Sequence, residues 1–444
     1  MLAFVATIAL LNLMLGMGVA IVVSHETADL KMMLYGLPLP LLKRHGEAAH
    51  EHGEGEHAHG KDDHAAHHAA SPETKKLELD LPAAWSEAIA AEGIQPQSQF
   101  EAILLCLRMQ LGVYQPRLTT CESAIRELGA QPAKEALAKQ LQELKQAAEA
   151  WKNWTSEAAS WMTPRHGTLG VEEAIAVELE EKLLDRVSHA KNVLRLASSC
   201  GEDGKIEAVL RALQHEINRD LEGTHGLVDR TLDLLAESLA KKKRIHQLPV
   251  AWQMDSRTSL HNRCGLEMLM GEWRKNDPQH KRLLSGLIVE CDRLGKLNER
   301  FGTAGGDRIF SSFARLVFDA IRNDRGDSAV RISGSMIAVL LADTGAAGAR
   351  CAAERIRQIV EASTFQVGDE EVTLAANCAV TEFMLDDELS DVLHRLYEGI
   401  KEAKKAGRNR TAIDEGDGPK VFEALPMNVK SRVIRVVDTP AIAS

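Results

Sequence analysis

Arg331-Ile332-Ser333-Gly334-Ser335-Met336-Ile337-Ala338-Val339-Leu340-Leu341 is the stretch on which the fold of the C-terminal part of this chain turns. Two apolar, β-branched runs flank a turn of small residues, a pattern that predicts a tight β-hairpin over 328–341. Working outward, helical and strand-like periodicities alternate. Helices are expected at 262–277, 305–323, 345–363 and 388–406, and strands at 283–291, 371–381 and 410–413. That order predicts one sheet with helices packed on it, within a domain at 250–413. The tail, 414–444, opens with an acidic run and is expected to be poorly ordered.

With 444 residues there is room for two or three domains. A net charge of −11 argues against a nucleic-acid partner, because such affinity comes largely from basic side chains meeting phosphates. Seven scattered cysteines without a CxxC pair read as reduced thiols rather than a disulfide framework.

The N-terminal run 1–23 carries no charged side chain. A helix of that length rises roughly 34 Å, enough to cross a hydrocarbon core of about 30 Å. A cleaved signal peptide would show a basic start and a shorter apolar core, so a transmembrane anchor is expected instead. Lys31, Lys43 and Arg44 follow the run and no basic residue precedes it. The expected localisation is therefore single-pass in the inner membrane with the bulk of the chain cytoplasmic, and 24–44 as a juxtamembrane segment.

Residues 45–72 form a low-complexity linker with eight histidines, His45, His50, His52, His57, His59, His64, His67 and His68. A polar tether and a loose transition-metal site are both open readings: imidazoles are competent ligands, but the irregular spacing defines no geometry.

From 77 to 204 the composition is helical, punctuated at 129–132, 163–170 and 200–204. Trp151, Trp154 and Trp161 lie close together on one expected helix and read as a core stripe. The next helix, 205–247, places Ile206, Leu210, Leu213, Ile217, Leu221, His225, Val228, Leu232, Leu235 and Leu239 on a seam with one four-residue stutter. A dimeric signalling coiled coil is expected there, with an amphipathic helix packed inside its own bundle as the alternative.

Three motifs then specify the C-terminal domain further. Asp255-Ser256-Arg257-Thr258-Ser259-Leu260-His261-Asn262-Arg263 resembles the D-x-L-T-G-L-x-N-R opening of the GGDEF, or diguanylate cyclase, family. Glu290-Cys291-Asp292, Asn298-Glu299, Gly302 and Gly305-Gly306-Asp307 follow its D-I-D…N-D-x-x-G-H-x-x-G-D run. Ala403-Lys404-Lys405-Ala406-Gly407-Arg408-Asn409-Arg410 retains its closing A-K-x-x-G-R-N-R, and the resemblance covers about 255–413. It implies an α+β fold class: a nucleotide-cyclase-like domain with a central, mostly antiparallel sheet flanked by helices, preceded here by the helical region and the transmembrane helix.

The resemblance also implies a chemistry, the joining of two GTP molecules into cyclic di-GMP with Mg²⁺ as cofactor. The family holds metal with the first Asp of D-x-D and the acidic position of the turn, which match Glu290 and Ser335. The turn Ser333-Gly334-Ser335-Met336-Ile337 has lost both acids and its first glycine, so no catalytic residue is expected. Asn298 and Asp307 match the guanine-reading pair, an amide and a carboxylate suited to the base's mixed edge. Lys404 and Arg408 match the phosphate-contacting pair, while the lysine of the family's F-K is replaced by Gly295. The product-binding R-x-x-D aligns with Asp324 and Asp327, with Arg325 out of register.

The expected protein is a membrane-anchored, dimeric bacterial signalling protein whose degenerate domain binds GTP or a protein partner. An active cyclase using Glu290, Asp292 and Glu299, and a scaffold or metal-responsive protein using the histidine tether, are the alternatives.

Overall fold

The computed structural model describes residues 80–128, 134–200, 206–279, 281–424 and 426–437. The first part is helical: α1 (Ala83–Ala91), α2 (Gln99–Glu127), α3 (Lys134–Met162), α4 (Glu173–Ser199) and α5 (Ile206–Lys241). The four long helices form a bundle in which α2 packs on α3 and α5, and α4 on α3 and α5. Ser98 starts α2 by accepting the Glu101 N–H at 3.1 Å. From Ala102 to Leu107 that helix is buried on every face, so it forms the bundle's centre. The expected tryptophan core is present as an aromatic chain: Tyr114 stacks on Trp151 at 4.8 Å, Trp151 on Trp154 at 5.9 Å, and Trp85 joins Trp154 to Trp161.

The seam on α5 is used within the chain. Leu210, Leu213, Ile217, Leu221, Leu235 and Leu239 are buried as the helix packs against α2 and α4. At 206–241 the seam thus takes the second of the two readings open from the sequence, an amphipathic helix packed inside its own bundle. Spacings of three and four residues serve both packings equally, and only the presence of partner helices in the same chain decides between them.

The second part begins with α6 (Arg263–Asn276), capped by Asn262, whose Oδ1 accepts the N–H groups of Cys264 and Gly265. Then follow β1 (Leu284–Cys291), α7 (Leu294–Asp319), β2 (Ser328–Ser333), β3 (Met336–Ala342), α8 (Ala346–Glu361), β4 (Ser363–Val367), β5 (Glu370–Thr373), β6 (Ala376–Glu382), α9 (Leu389–Lys405), β7 (Thr411–Asp414), β8 (Lys420–Val421) and β9 (Arg432–Arg435). The main sheet has the order β2-β3-β1-β6-β7-β8 and is antiparallel except for the β6/β7 pair. Fully buried β1 lies between β3 and β6, with one apolar core under α7 and α8 and another under α6 and α9. The helix α7 is kinked at Gly302, whose φ of 75° is a conformation glycine adopts without strain.

Two expectations about this part are corrected. The strand expected at 371–381 is two elements, β5 and β6, and β4 precedes them in a hairpin turned at Gly368. The tail is not structureless through 437: β8 extends the main sheet and β9 pairs in parallel with β4. Phe422, Val429, Ile434 and Val436 pack on the core, which is why this short apolar pattern holds its place.

A transmembrane helix was part of the expected fold class, and an inner-membrane localisation followed from it. Both are corrected: among the described residues no helix is long and apolar enough to cross a membrane. The long helices here carry charged side chains every few positions along their solvent faces. The run 1–23 and the eight histidines at 45–68 lie outside the described residues.

Candidate functional site

The residues expected to act on nucleotide lie along one end of the sheet, a candidate cleft bordered by the C-terminus of β1, the β2–β3 turn, the kink of α7 and the end of α9. At one end stand Glu290 and Asp292. Lys404 Nζ lies 2.7 Å from Glu290 Oε1, and Asn377 Nδ2 donates to Glu290 Oε2 at 3.1 Å. Asp292 Oδ1 pairs with the Arg408 guanidinium. Asn377 is itself positioned, its Oδ1 accepting the Asn409 N–H at 2.8 Å. The basic pair expected on phosphates is therefore bonded to Glu290, the carboxylate matched to metal, and to Asp292, an acid of the alternative metal site.

These residues do not fit a magnesium site. Mg²⁺ needs hard oxygen ligands in near-octahedral array. Of the two matched metal positions only Glu290 offers a carboxylate, which is buried and already neutralised by Lys404. Opposite it in register stands Met336, whose soft thioether is unsuited to Mg²⁺, next to the neutral hydroxyl of Ser335. Glu299, the further acid of an alternative metal site, is solvent-exposed.

The other end of the cleft holds Asn298 and Asp307. Asn298 Oδ1 lies directly over Gly306, where any side chain would collide with it. Asp307 faces two groups that sequence reasoning missed: Arg257, with NH1 at 3.5 Å, and His225 of α5, with Nε2 at 3.3 Å but without hydrogen-bond alignment. Arg257 also contacts Asp255 at 3.5 Å and Asp229 of α5 at 3.7 Å. Asp255 in turn binds Arg331 NH1 at 3.1 Å, and Arg331 NH2 donates to the Gly334 carbonyl at 2.9 Å. A buried lattice of three carboxylates and two guanidiniums thus runs from the base-reading position to the signature turn.

Its protonation follows from burial against pairing. Burial opposes ionisation of Asp255, but Arg331, Arg257 and the Thr258 hydroxyl and N–H outweigh it and hold the carboxyl below its usual range. At Asp307 and Asp229 burial wins over the same guanidiniums and both are raised. Burial, then repulsion by Arg257 and Arg331, pushes His225 well below an ordinary histidine, so its ring is neutral.

Asn218, His225, Asp229 and Asp233 share one face of α5, and that face lies along the cleft. Asn218 Oδ1 accepts the Thr303 N–H at 2.7 Å. Asp233 lies 3.7 Å from Arg263. Beside them, the Glu122–Arg126 pair of α2 (2.8 Å) sits where a side chain at Gly302 would project. The signal for this face was available: polar residues recur at intervals of seven and four along one border of the apolar seam, which His225 shares, and Arg257 stands where the family has leucine.

The positions aligned with the family's product-binding motif are structural here. Asp327 receives Arg322 Nε and NH2 at 3.0 Å and the Ala342 N–H at 3.1 Å, closing the loop into β2. Asp324 lies in a short 3₁₀ turn, Asn323–Arg325.

Comparisons with known proteins agree with this architecture. The family model described as "Diguanylate cyclase, GGDEF domain" matches residues 252–410, and this part of the chain is a GGDEF domain. Diguanylate cyclase A of Treponema denticola is 28% identical over 143 residues, 32% of this chain and 38% of that protein. The response regulator PleD of Caulobacter vibrioides is 30% identical over 167 residues, 37% of this chain and 36% of its own length. The chain thus spans well under half the length of these two relatives. Among solved structures, the GGDEF domain of DgcB from Caulobacter crescentus in complex with c-di-GMP covers 36% of this chain and 92% of that one, at 18% identity and a TM-score of 0.34. Diguanylate cyclase SiaD of Pseudomonas aeruginosa, in complex with its activator SiaC, covers 60% and 97%, at 22% identity and a TM-score of 0.35.

Proposed function

We propose that this GGDEF domain is a signalling module that does not cyclise GTP and instead transmits its state through contact with the helical bundle and a protein partner. The observation that carries this reading is the Glu290–Lys404 pair at 2.7 Å. In-line attack on an α-phosphate needs divalent ions to neutralise the triphosphate, and therefore carboxylates free to hold them. Here the one retained carboxylate is neutralised by the chain's own lysine, and the facing turn offers Ser335 and Met336. Loss of the two acids removes the electrostatic stabilisation on which such chemistry chiefly depends.

The test is incubation of the full chain with GTP and Mg²⁺ or Mn²⁺, followed by chromatography of the nucleotides. Absence of cyclic di-GMP is the expected result, and its steady accumulation sinks the proposal. An active enzyme working through Glu290, Asp292 and Glu299 would also be indifferent to replacing Ser335 and Met336 by acids.

A further inference from the structure

The helical bundle meets the GGDEF domain on its cleft, and the polar side chains at the contact have a chemical pattern. Asp229 of α5 presents a carboxylate to Arg257 at 3.7 Å. Arg257 is a residue of the GGDEF domain, and its guanidinium, 3.5 Å from Asp307, links that carboxylate to α5. The imidazole of His225 lies against the same carboxylate. Glu122 and Arg126 fill the space over Gly302, the kink between Asn298 and Asp307. Asn218 takes the Thr303 N–H at 2.7 Å and its carbonyl receives the Thr303 hydroxyl at 3.4 Å, fastening α5 to the kink.

We propose that the face of α5 bearing Asn218, His225 and Asp229, with Glu122 and Arg126 of α2, is a tethered occupant of the nucleotide cleft that a guanine nucleotide must displace in order to bind. This rests on the reading of the cleft as a degenerate nucleotide site, but it concerns access rather than catalysis. The apolar seam of α5 stays buried against α2 and α4, and α5 keeps its packing on α6, where Cys264 joins the bundle core; what would separate at the kink of α7 is a set of polar pairs. Because the occupant is part of the same chain, it competes at a high effective concentration, and free GTP meets a correspondingly reduced affinity. Whatever draws the bundle away from the cleft, a ligand or a protein held by the helices, would by the same linkage favour guanine-nucleotide binding.

The full chain tests this with two readouts. The Thr303 amide reports the contact directly, since its hydrogen-bond acceptor belongs to α5. Calorimetric titration of GTP with Mg²⁺ reports the cleft. Asn218→Ala, Arg126→Glu and Asp229→Asn are made singly and together. The expected result is faster hydrogen exchange at Thr303, and GTP affinity at least tenfold above that of the unaltered chain and lost again on adding Asn298→Ala. The proposal fails if Thr303 is deprotected while GTP affinity does not change, because the bundle then does not occupy the site. It fails equally if the unaltered chain binds GTP as tightly as the variants. If Thr303 stays protected in all the variants, these side chains do not hold a separable contact and the proposal is also overturned. Formation of cyclic di-GMP in any of these samples would count against the non-cyclising reading alone.

Discussion

The two ends of the cleft are neutralised by different means. At the phosphate end, Glu290 and Asp292 are paired by Lys404 and Arg408 of the same domain, and the two cations are 35% and 40% exposed. At the base end, Asp307 and Asp255 meet Arg257 and Arg331, which are 12% and 3% exposed, and a second module closes the lattice with Asn218, His225 and Asp229. Long cations at a surface can leave a carboxylate at little cost, whereas buried charges cannot be separated without leaving one unpaired. The Glu290–Asp292 end is therefore an ion cluster closed within the GGDEF domain. The base end is a joint between modules.

The comparison predicts an order of effects. Asp255→Ala leaves the buried Arg331 without its main counter-charge and should lower stability by about 3–5 kcal/mol in denaturant titration. A loss under about 1 kcal/mol would mean that water reaches the base end and that the two ends are alike. Lys404→Met leaves Glu290 with Asn377 as its polar partner, and a loss of about 1–3 kcal/mol is expected by the same measurement. Asn218→Ala should cost about 1 kcal/mol and, unlike Lys404→Met, should speed exchange of the Thr303 amide. Arg408→Met removes a guanidinium that is 40% exposed and leaves Asp292 with Arg293 at 3.6 Å, so it should cost at most about 1 kcal/mol.

Acid sharpens the contrast further. His225 is depressed in the folded chain, so the unfolded chain binds the extra proton as pH falls below about 6.5, and stability drops there. Arg257 and Arg331 face the ring and oppose its charge, while Asp255 and Asp307 favour it. Asp307, raised by burial, acts with the opposite sign nearer the ordinary carboxylate range. The denaturation midpoint should therefore slope downward on acidification from neutrality, and His225→Leu should flatten that slope. An equal slope in both proteins would show that the joint holds no buried neutral imidazole.

How much of this was legible varied along the chain. Most elements of the GGDEF domain from α6 to β7 followed from period and turn chemistry, though α7 begins at Leu294 rather than 305, and the candidate site residues came from three motifs in register. Each depends on local pattern, which sequence carries directly. The β4–β5 hairpin and the ordered tail escaped because their runs are short and gain their stability from distant partners, β9 from β4 and Phe422 from the core. The motif match placed Asn298, Asp307, Lys404 and Arg408 in one cleft, but it said nothing of what occupies their hydrogen bonds.

The sequence by itself determined the kind of sheet, the cleft's cast of residues and the absence of acids from its turn, because those are matters of residue identity at fixed spacing. Only the tertiary structure decided that the α5 seam closes a bundle within the chain and that the polar row bordering the seam lies on the cleft. A heptad-like stripe states that a face will be buried, and a polar stripe that a face will find partners. Neither contains the long-range contact that selects the partner, and that choice is made by the packing of the whole chain.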